Sequence, residues 1–367
     1  MTHGVVLVSP YAMSVYGGVQ EQVLAMSREL ARRDWTVDIV APDASDHAVY
    51  DTPASVHRFG RLASLPANGS RAPLTISPLA SQHAAALIRS LRPDVTHLHE
   101  PFAPVLGWST VRAHAGPSVG TFHRSGAGPA TRWTRPLLRY LSRGLDVAVA
   151  VSEAAASTMG AASGLELDVL FNGFELERFT SVAREIPAHV TVGVVGRLED
   201  RKGVATAVRA VRRHNDRAGR RWRLSIVGDG PERDRLVALA EADASIEFLG
   251  ALDDEQKRSW MRRCSVMVAP ALRGESFGLV LLEAMASEVP LVASDIVGYR
   301  DAVGGCAILV PPGDADALER GIETALATSA TQLAAARSHA ERWSMSRLVD
   351  EYEERYDLAR DRFGRKR

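Results

Sequence analysis

The segment GRLEDRKG, residues 196–203, places two basic groups at short spacing, Arg197 and Lys202, between a predicted strand and a predicted helix. Arginine offers a planar fork that suits phosphate oxygens, and lysine offers a compact point charge. Two such cations suit a pyrophosphate whose negative charge grows as it departs during a reaction. Three of the 44 basic residues are lysines, so a lysine here favours a specific role over a solvated, charged turn.

A second group of chemically active side chains lies in the segment GESFGLVLLEAMAS, residues 274–287. Glu275 precedes a predicted helix, and Glu283 lies about two turns inside it among apolar neighbours. Burying a carboxylate is costly unless it has a partner, and a ribose diol, which donates two hydroxyl hydrogens, is a suitable one. The ordinary alternative for Glu283 is an exposed helix face, which the apolar neighbours disfavour.

Gly17 and Gly18 form a turn between the first predicted strand and the first predicted helix. Backbone amides in such a turn can approach a phosphate, and the helix N-terminus adds a favourable dipole. A glycine pair before a helix is also often only a turn. The pattern is not the G-x-G-x-x-G fingerprint, so a dinucleotide-dependent oxidoreductase is not favoured.

The elements that must position these groups follow an alternating pattern. Short apolar runs, such as those beginning at Gly4 and Val190, alternate with segments of helical period, which predicts parallel sheets covered by helices. The alternation of predicted strands and helices is interrupted by a polar connection after Asn172 and resumes near Pro187. We therefore predict two Rossmann-like, doubly wound α/β domains that face each other across a deep cleft. They cover residues 1–175 and 188–344, and a C-terminal helix over about 345–367 packs back on the first.

Composition excludes several other classes of protein. The 367 residues carry 44 basic and 44 acidic groups, and this balance gives no general case for nucleic-acid binding. Two cysteines, Cys264 and Cys306, are too few for a disulfide framework or a structural zinc site. The chain has no apolar stretch long enough to span a membrane, and its first apolar run resembles a strand rather than a signal peptide. We therefore expect a cytoplasmic protein.

These motifs, taken in order, resemble glycosyltransferase family 4, the retaining enzymes of GT-B fold. The glycine turn, G-R-x-x-x-R-K-G and E-S-F-G-x-x-x-x-E carry the resemblance, which covers essentially the whole chain. Further stretches are similar to the phosphatidylinositol mannosyltransferase branch of the family: SPYAMSVYGGVQ, HLHEPFAPVLG, TFH, LDDEQK and GESFGLVLLEAMAS.

The resemblance implies roles for individual residues. Arg197 and Lys202 neutralise the leaving diphosphate, Glu275 touches hydroxyls of the transferred sugar, and His123 faces that sugar. The alternative for a lone histidine is a satisfied core group. Donor-binding roles fall on Gly17, Gly18, Leu252, Asp254, Lys257, Ser276, Phe277, Gly278 and Glu283. Fixed cations and helix N-termini can stabilise the diphosphate, so we expect no metal and no other cofactor.

The donor base is predicted from the segment Leu252 to Lys257, which lies under the base in the resembling enzymes. The Leu252 backbone can bond to the base, Asp254 can accept from the N–H groups of guanine, and Lys257 can donate to its carbonyl oxygen. Uracil lacks an amino group that could donate a hydrogen bond to Asp254. A guanine nucleotide is therefore predicted in preference to a uridine nucleotide. The alternative is an ordinary helix start capped by Asp253 and Asp254.

On the acceptor side, the resemblance implies Tyr11, Asn68, Ser70, Arg71 and Arg201. Two family positions differ, because Ala67 replaces an expected tyrosine and Pro73 an expected arginine. The helix SQHAAALIRSLR also lacks the basic cluster that a membrane-bound amphipathic helix carries. The segment TRWTRPLLRYLSRG is the alternative membrane contact, or a core helix with a solvated face.

The predicted function is a retaining, metal-independent transfer of mannose from GDP-mannose to a phosphatidyl-myo-inositol-type lipid, at the cytoplasmic face of the membrane. The same chemistry on a soluble cyclitol, amino-sugar or other metabolite, from a UDP- or GDP-sugar, is the alternative. A non-catalytic sugar-nucleotide-binding protein is a third hypothesis. It is disfavoured because such a protein would not need Arg197, Lys202, Glu275 and Glu283 together.

Overall fold

The computed structural model of the protein describes residues 3–14, 17–42, 50–60, 62–67, 70–75, 77–113, 116–123, 129–180, 189–217, 221–275 and 277–366. The chain divides into two compact units. Unit 1 consists of Met1–Gly173 together with Met345–Arg367, and unit 2 is Phe174–Ser344. The C-terminal helix therefore belongs to the unit that contains the N-terminus.

Unit 1 is built on a parallel sheet whose apolar strands are buried on both faces. Its elements are β1 (Gly4–Val8), α1 (Gly18–Arg32), β2 (Thr36–Ala41), β3 (Ser55–Arg58), β4 (Leu62–Ala67), β5 (Ser70–Thr75), α2 (Pro78–Leu91), β6 (Val95–His99), α3 (Leu106–Ala113), β7 (Ser118–Phe122), α4 (Pro129–Ser142), β8 (Val147–Ala150), α5 (Glu153–Ser163) and β9 (Asp168–Val169). The sheet order is β3-β2-β1-β6-β7-β8-β9, and β4 and β5 form a separate antiparallel hairpin.

Unit 2 repeats the arrangement. After α6 (Leu176–Thr180), its elements are β10 (Thr191–Val195), a 3-10 turn (Asp200–Lys202), α7 (Val204–Arg217), β11 (Arg223–Val227), α8 (Arg233–Ala240), β12 (Ile246–Gly250), α9 (Asp254–Arg262), β13 (Val266–Ala269), α10 (Leu279–Ala286), β14 (Leu291–Ser294), α11 (Val297–Val303), β15 (Ile308–Val310), α12 (Ala315–Ala325) and α13 (Ala330–Glu341). The order β12-β11-β10-β13-β14-β15 is that of a doubly wound sheet, and it confirms the predicted fold class.

The last helix, α14 (Met345–Arg365), covers one face of the unit 1 sheet. Tyr352 and Tyr356 are 2% and 0% exposed, so the helix contributes directly to the core. Arg33, the C-cap residue of α1, reaches Asp350 at 2.7 Å and Glu353 at 2.6 Å, which fixes α14 against the end of α1. In the part of the chain that the structure describes, no helix is both long and apolar enough to cross a bilayer.

Candidate active site

The strand order of unit 2 brings the two motif-bearing loops together. The sheet winds in opposite directions from β10 and β13, which are adjacent, so the loops that follow them start side by side. Ligands of open α/β sheets bind at this switch point, outside the carboxyl ends of the strands. The Leu272 N–H donates to the Arg201 carbonyl oxygen at 2.8 Å and joins the two loops.

Gly203 is required where these loops meet. Its φ of +65° is in the left-handed region, and a Cβ there would lie 2.0 Å from the carbonyl oxygen of Pro270. A glycine at this position lets the 3-10 turn end and α7 begin while the backbones stay in contact. The final glycine of the G-R-x-x-x-R-K-G motif therefore has a structural role, and it holds Lys202 against the second loop.

A cluster of five charged side chains occupies this point, and we call it the cation cluster: Arg197, Glu199, Arg201, Lys202 and Glu275. Lys202 Nζ lies 2.8 Å from Glu275 Oε1, and Arg201 also pairs with that oxygen. Glu199 bridges Arg197 at 3.0 Å and Arg201 at 2.8 Å. Three cations face two carboxylates, so the cluster keeps one formal positive charge. The two glutamates are 11% and 13% exposed, which strengthens these interactions relative to a solvated surface.

A functional role was predicted from sequence for four residues of the cation cluster. The ion pairs that these residues form with one another and with Glu199 were not predicted. Arg201 was assigned to the acceptor, but its guanidinium bonds to Glu199 and Glu275. Glu199 was not predicted, although it lies within the motif. Tyr299, also not predicted, is 2% exposed. Burial first, and then the charge of Glu275, raise the pKa of Tyr299, so this phenol stays protonated.

The residues between Glu275 and α10 are held by packing within unit 2. Gly278 has a φ of +85°, and a Cβ there would lie 2.5 Å from the Tyr299 ring. Phe277 packs edge-on against Trp343 with ring centroids 4.8 Å apart, so most of its surface serves the fold of unit 2. Ser276 lies outside the described residues.

Glu283 is buried, at 7% exposure, and its partner is Lys257. The Lys257 ammonium lies 2.9 Å from Glu283 Oε1 and 5.7 Å from the centre of the Phe179 ring. We expected a ribose diol to balance the burial of Glu283 and a guanine oxygen to accept from Lys257. The structure pairs the two side chains with each other, so neither needs a ligand to account for its burial.

The segment that begins α9 is a regular helix start. Asp253 is its N-cap and forms a capping box with Gln256, as the structural alternative predicted for this residue. The neighbouring Asp254 does not cap. Its side chain is 46% exposed and lies 3.5 Å from Arg178. Leu252 is half-buried just before the cap.

In unit 1, the glycine turn begins α1. Gly17 is the N-cap and Gly18 is the first helical residue. Gly17 has an extended backbone with φ −172°, which any residue adopts. Among the described residues, a Cβ on Gly18 would meet no atom within 4 Å. The role of Gly18 in donor binding therefore stays a prediction.

Other acceptor-side residues are only partly described. Tyr11 is half-buried after β1, and its backbone N–H donates to Ser9 Oγ at 3.2 Å. Ser70 and Arg71 lie on β5, whose backbone pairs Ala67 with Ser70. The structure does not describe Asn68.

Three histidines form a row in unit 1, which we call the histidine row. His97 and His99 lie on one face of β6 because they are two residues apart, and His123 follows β7. The rings stack, with centroids 4.5 Å apart for His97 and His99 and 5.3 Å apart for His99 and His123. His99 Nδ1 and His123 Nε2 are 3.0 Å apart. Sequence reasoning named only His123, although H-x-H within a strand signals two imidazoles on one face.

Two tyrosines of α14 form hydrogen bonds at one end of the histidine row. His97 Nδ1 is 2.8 Å from the Tyr356 hydroxyl, and its Nε2 is 2.7 Å from Thr121 Oγ1. Thr121 Oγ1 is in turn 2.8 Å from the Tyr352 hydroxyl. Both nitrogens of His97 are therefore satisfied inside the core, and this histidine is structural.

Burial keeps the row neutral. Desolvation lowers the pKa of His97 to about 3 and that of His123 to about 4. It also lowers the pKa of His99 well below its ordinary value, and the neighbouring imidazoles add to this effect. A neutral imidazole offers one donor and one acceptor, and which nitrogen donates depends on its partners.

We predict that mild acid destabilises the protein through this row. Unfolded histidines take up protons below about pH 6.5, whereas the folded row resists protonation until about pH 4. The stability gained from keeping them neutral is complete above about pH 6.5 and is lost as the pH falls toward 4. Each histidine contributes a slope of about 1.4 kcal/mol per pH unit in this range.

Urea denaturation at a series of pH values measures this slope. His97→Asn removes one titrating group, and its free energy of unfolding should fall less steeply with acid than that of the native protein. Equal slopes for the two proteins would contradict the assignment.

The fold of this chain is that of solved glycosyltransferases of GT-B type. A glycosyltransferase from Rickettsia africae has a TM-score of 0.74 at 16% identity, with 98% of each chain covered. A sucrose-phosphate synthase from Thermosynechococcus elongatus has a TM-score of 0.74 at 19% identity, covering 97% of this chain and 100% of that one. At such identities the likeness establishes the fold.

Sequence relatives identify the family. The family model described as Glycosyltransferase Family 4 matches residues 16–178, and the model described as Glycosyl transferases group 1 matches residues 189–328. The phosphatidyl-myo-inositol mannosyltransferase of Mycobacterium leprae is 34% identical over 323 residues, which cover 85% of this chain and 84% of that protein. The protein of the same name from Propionibacterium freudenreichii is 32% identical, covering 80% and 78%. The chain therefore belongs to glycosyltransferase family 4, in the branch of these mannosyltransferases, which confirms the predicted resemblance.

Proposed function

We propose that this glycosyltransferase moves mannose from GDP-mannose onto a hydroxyl of a phosphatidyl-myo-inositol-type lipid and retains the configuration of the donor. The observation that carries the proposal is the cation cluster at the β10–β13 switch point. It pairs the side chains of Arg201 and Lys202 with the Glu275 carboxylate at the place where open α/β sheets bind ligands. The names of the similar proteins support mannose and the inositol lipid.

The cation cluster suits a diphosphate leaving group. Arg197 is more than half exposed and Lys202 is a quarter exposed, so both can turn toward phosphate oxygens from their present carboxylate partners. Glu275 pairs with Arg201 and Lys202, and its carboxylate oxygens can accept hydrogen bonds from sugar hydroxyls in the proposed complex. In the proposed mechanism, His123 contacts the transferred sugar and Gly18 admits the donor phosphates.

Retention then follows from attack on the same face of the sugar as the departing diphosphate. A phosphate oxygen of the leaving group accepts the proton of the acceptor hydroxyl, while the bond from the anomeric carbon to the phosphate oxygen breaks. Fixed cations stabilise the developing negative charge. This proposed route forms no covalent glycosyl-enzyme and uses no divalent metal.

We expect GDP to bind more tightly than UDP if Asp254 reads guanine. Its carboxylate is accessible, and a site built for specific hydrogen bonds rejects ligands that leave its polar groups unpaired. Calorimetry with both nucleotides measures the difference. Asp254→Asn should lower GDP affinity and leave UDP affinity unchanged, whereas Asp253→Asn, which keeps a good cap, should change neither. Equal or inverted affinities in the native protein would favour a UDP-sugar donor.

A lipid acceptor requires contact with the cytoplasmic face of a membrane, and α4 is the surface that we propose for it. Arg135 and Arg139 on α4, and Arg143 directly after it, are exposed beside the exposed Tyr140, over which Arg112 stacks at 4.2 Å. No carboxylate among the described residues forms an ion pair with these four arginines. Leu138 and Leu141 are buried on the opposite side, so α4 combines a core face with a basic face.

The alternative function is transfer to a soluble cyclitol, amino-sugar or other metabolite, and α2 favours it. Its exposed side carries Gln82, His83, Arg89 and Ser90, so that Arg89 and the exposed C-cap residue Arg92 provide two cations for anionic lipid. Incubation with radiolabelled GDP-mannose and a mixture of phosphatidylinositol vesicles and free inositol separates the two functions. Label in the organic phase supports the lipid acceptor, and label that stays in a new aqueous product supports the soluble one.

A further inference from the structure

The central member of the histidine row has an unusual nitrogen. His99 is 2% exposed, and within the described residues its Nε2 is buried without a hydrogen-bond partner. Its other nitrogen, Nδ1, lies 3.0 Å from His123 Nε2. A buried N–H without an acceptor is rarer and more costly than a buried lone pair without a donor. The neutral tautomer of His99 that carries its proton on Nδ1 is therefore favoured.

This tautomer fixes that of the next ring. If His99 donates from Nδ1, His123 must accept at Nε2, and a neutral His123 then carries its proton on Nδ1. Within the described residues His123 Nδ1 makes no hydrogen bond, so this N–H is available to a ligand. The His123 backbone is held separately, because its N–H donates to Glu100 Oε1 at 2.7 Å.

We propose that His99 is a positioning residue that donates from Nδ1 to His123 Nε2 and so makes His123 present an Nδ1–H donor to the transferred sugar. The assignment of the sugar rests on the proposed transferase function. The orientation of the two imidazoles rests on the row alone. Stacking between the rings limits rotation of His123, and the shared hydrogen bond selects its tautomer.

Nitrogen-15 NMR of histidine-labelled protein tests the orientation without any substrate. Two-bond couplings distinguish a protonated Nδ1 from a protonated Nε2 in a neutral imidazole. Near neutral pH we expect both His99 and His123 to be protonated at Nδ1. Protonation of His123 at Nε2 would overturn the proposal, whether or not the protein transfers mannose.

Kinetics of matched variants test the consequence. His99→Phe keeps a stacked ring and removes the donor, whereas His99→Asn places an amide N–H near the position of Nδ1. We expect His99→Phe to lower kcat by roughly 10- to 100-fold with little change in the KM for the donor, because His123 is then misplaced relative to the sugar. We expect His99→Asn to keep most of the native kcat. His97→Phe is the control, since it disturbs the same face without a bond to His123.

The control separates positioning from folding. His97→Phe should lower the melting temperature and leave kcat within a few-fold of the native value. The proposal is overturned if His97→Phe and His99→Phe lower kcat equally, or if His99→Asn is as slow as His99→Phe. If the native protein shows no transfer at all, the proposed function fails, and the NMR measurement still decides the tautomer.

Discussion

Replacing Lys202 with alanine is expected to lower turnover by roughly a hundredfold, which corresponds to about 3 kcal/mol of lost transition-state stabilisation. The Lys202 ammonium is one of three cations at the β10–β13 switch point, and its partner Glu275 retains Arg201 after the substitution. The fold should therefore persist. The loss should appear mainly in kcat, because the charge on the diphosphate grows as the bond to the sugar breaks.

Arg235→Ala is the matched control for this experiment. Arg235 lies on α8 of the same unit, is 61% exposed and pairs with Glu232 at 2.6 Å and Asp200 at 3.8 Å, neither of which belongs to the cation cluster. It should leave kcat unchanged and show that loss of a cation from unit 2 does not by itself impair the enzyme. Unchanged turnover of Lys202→Ala at saturating donor would remove this lysine from the mechanism.

Glu283→Leu is expected to lower the free energy of unfolding by about 3–5 kcal/mol, because it removes the buried carboxylate nearest to the ammonium of Lys257. The double variant Lys257→Met with Glu283→Leu removes both charges and should recover most of that loss. Urea denaturation of the two variants and the native protein provides the comparison. A single variant as stable as the native protein would show that the pair is not buried in solution.

The same double variant separates the structural role of this pair from its predicted ligand role. If Glu283 also accepts hydrogen bonds from a ribose, the refolded double variant should bind GDP at least tenfold more weakly than the native protein. Native affinity in a stable double variant would assign Lys257 and Glu283 to the fold alone. Calorimetry on both proteins, at one pH and salt concentration, makes this distinction.

Local patterns in the sequence were sufficient to predict the alternation of strands and helices in both units. Runs such as those of β1 and β10 are apolar throughout, as central strands buried on both faces must be. Elements with weaker patterns were missed. The strand β3 has two exposed and two half-buried residues, and α13 has little separation of polar and apolar faces. Its capping box, formed by Ser329 and Gln332, was the available signal.

The candidate site was predictable in its residue types and less so in its contacts. Lys257 and Glu283 meet because α9 and α10 pack in unit 2, and a separation of 26 residues does not reveal such a pairing. His97 bonds to the hydroxyl of Tyr356, 259 residues away on the helix that returns to unit 1, and to Thr121, which bonds to Tyr352 on the same helix. Sequence spacing describes one element at a time, whereas these contacts depend on how elements pack.

The measurement that tests the central claim most directly is the NMR spectrum of the product formed from GDP-mannose and phosphatidyl-myo-inositol. The reaction is run with and without a chelator, and the anomeric coupling of the new mannosyl group is read from the purified lipid. We predict an α-linked mannose on the inositol ring, formed at the same rate in both reactions. A β-linked product, or no mannosyl lipid while free GDP accumulates, would contradict the assignment of this chain as a retaining phosphatidylinositol mannosyltransferase.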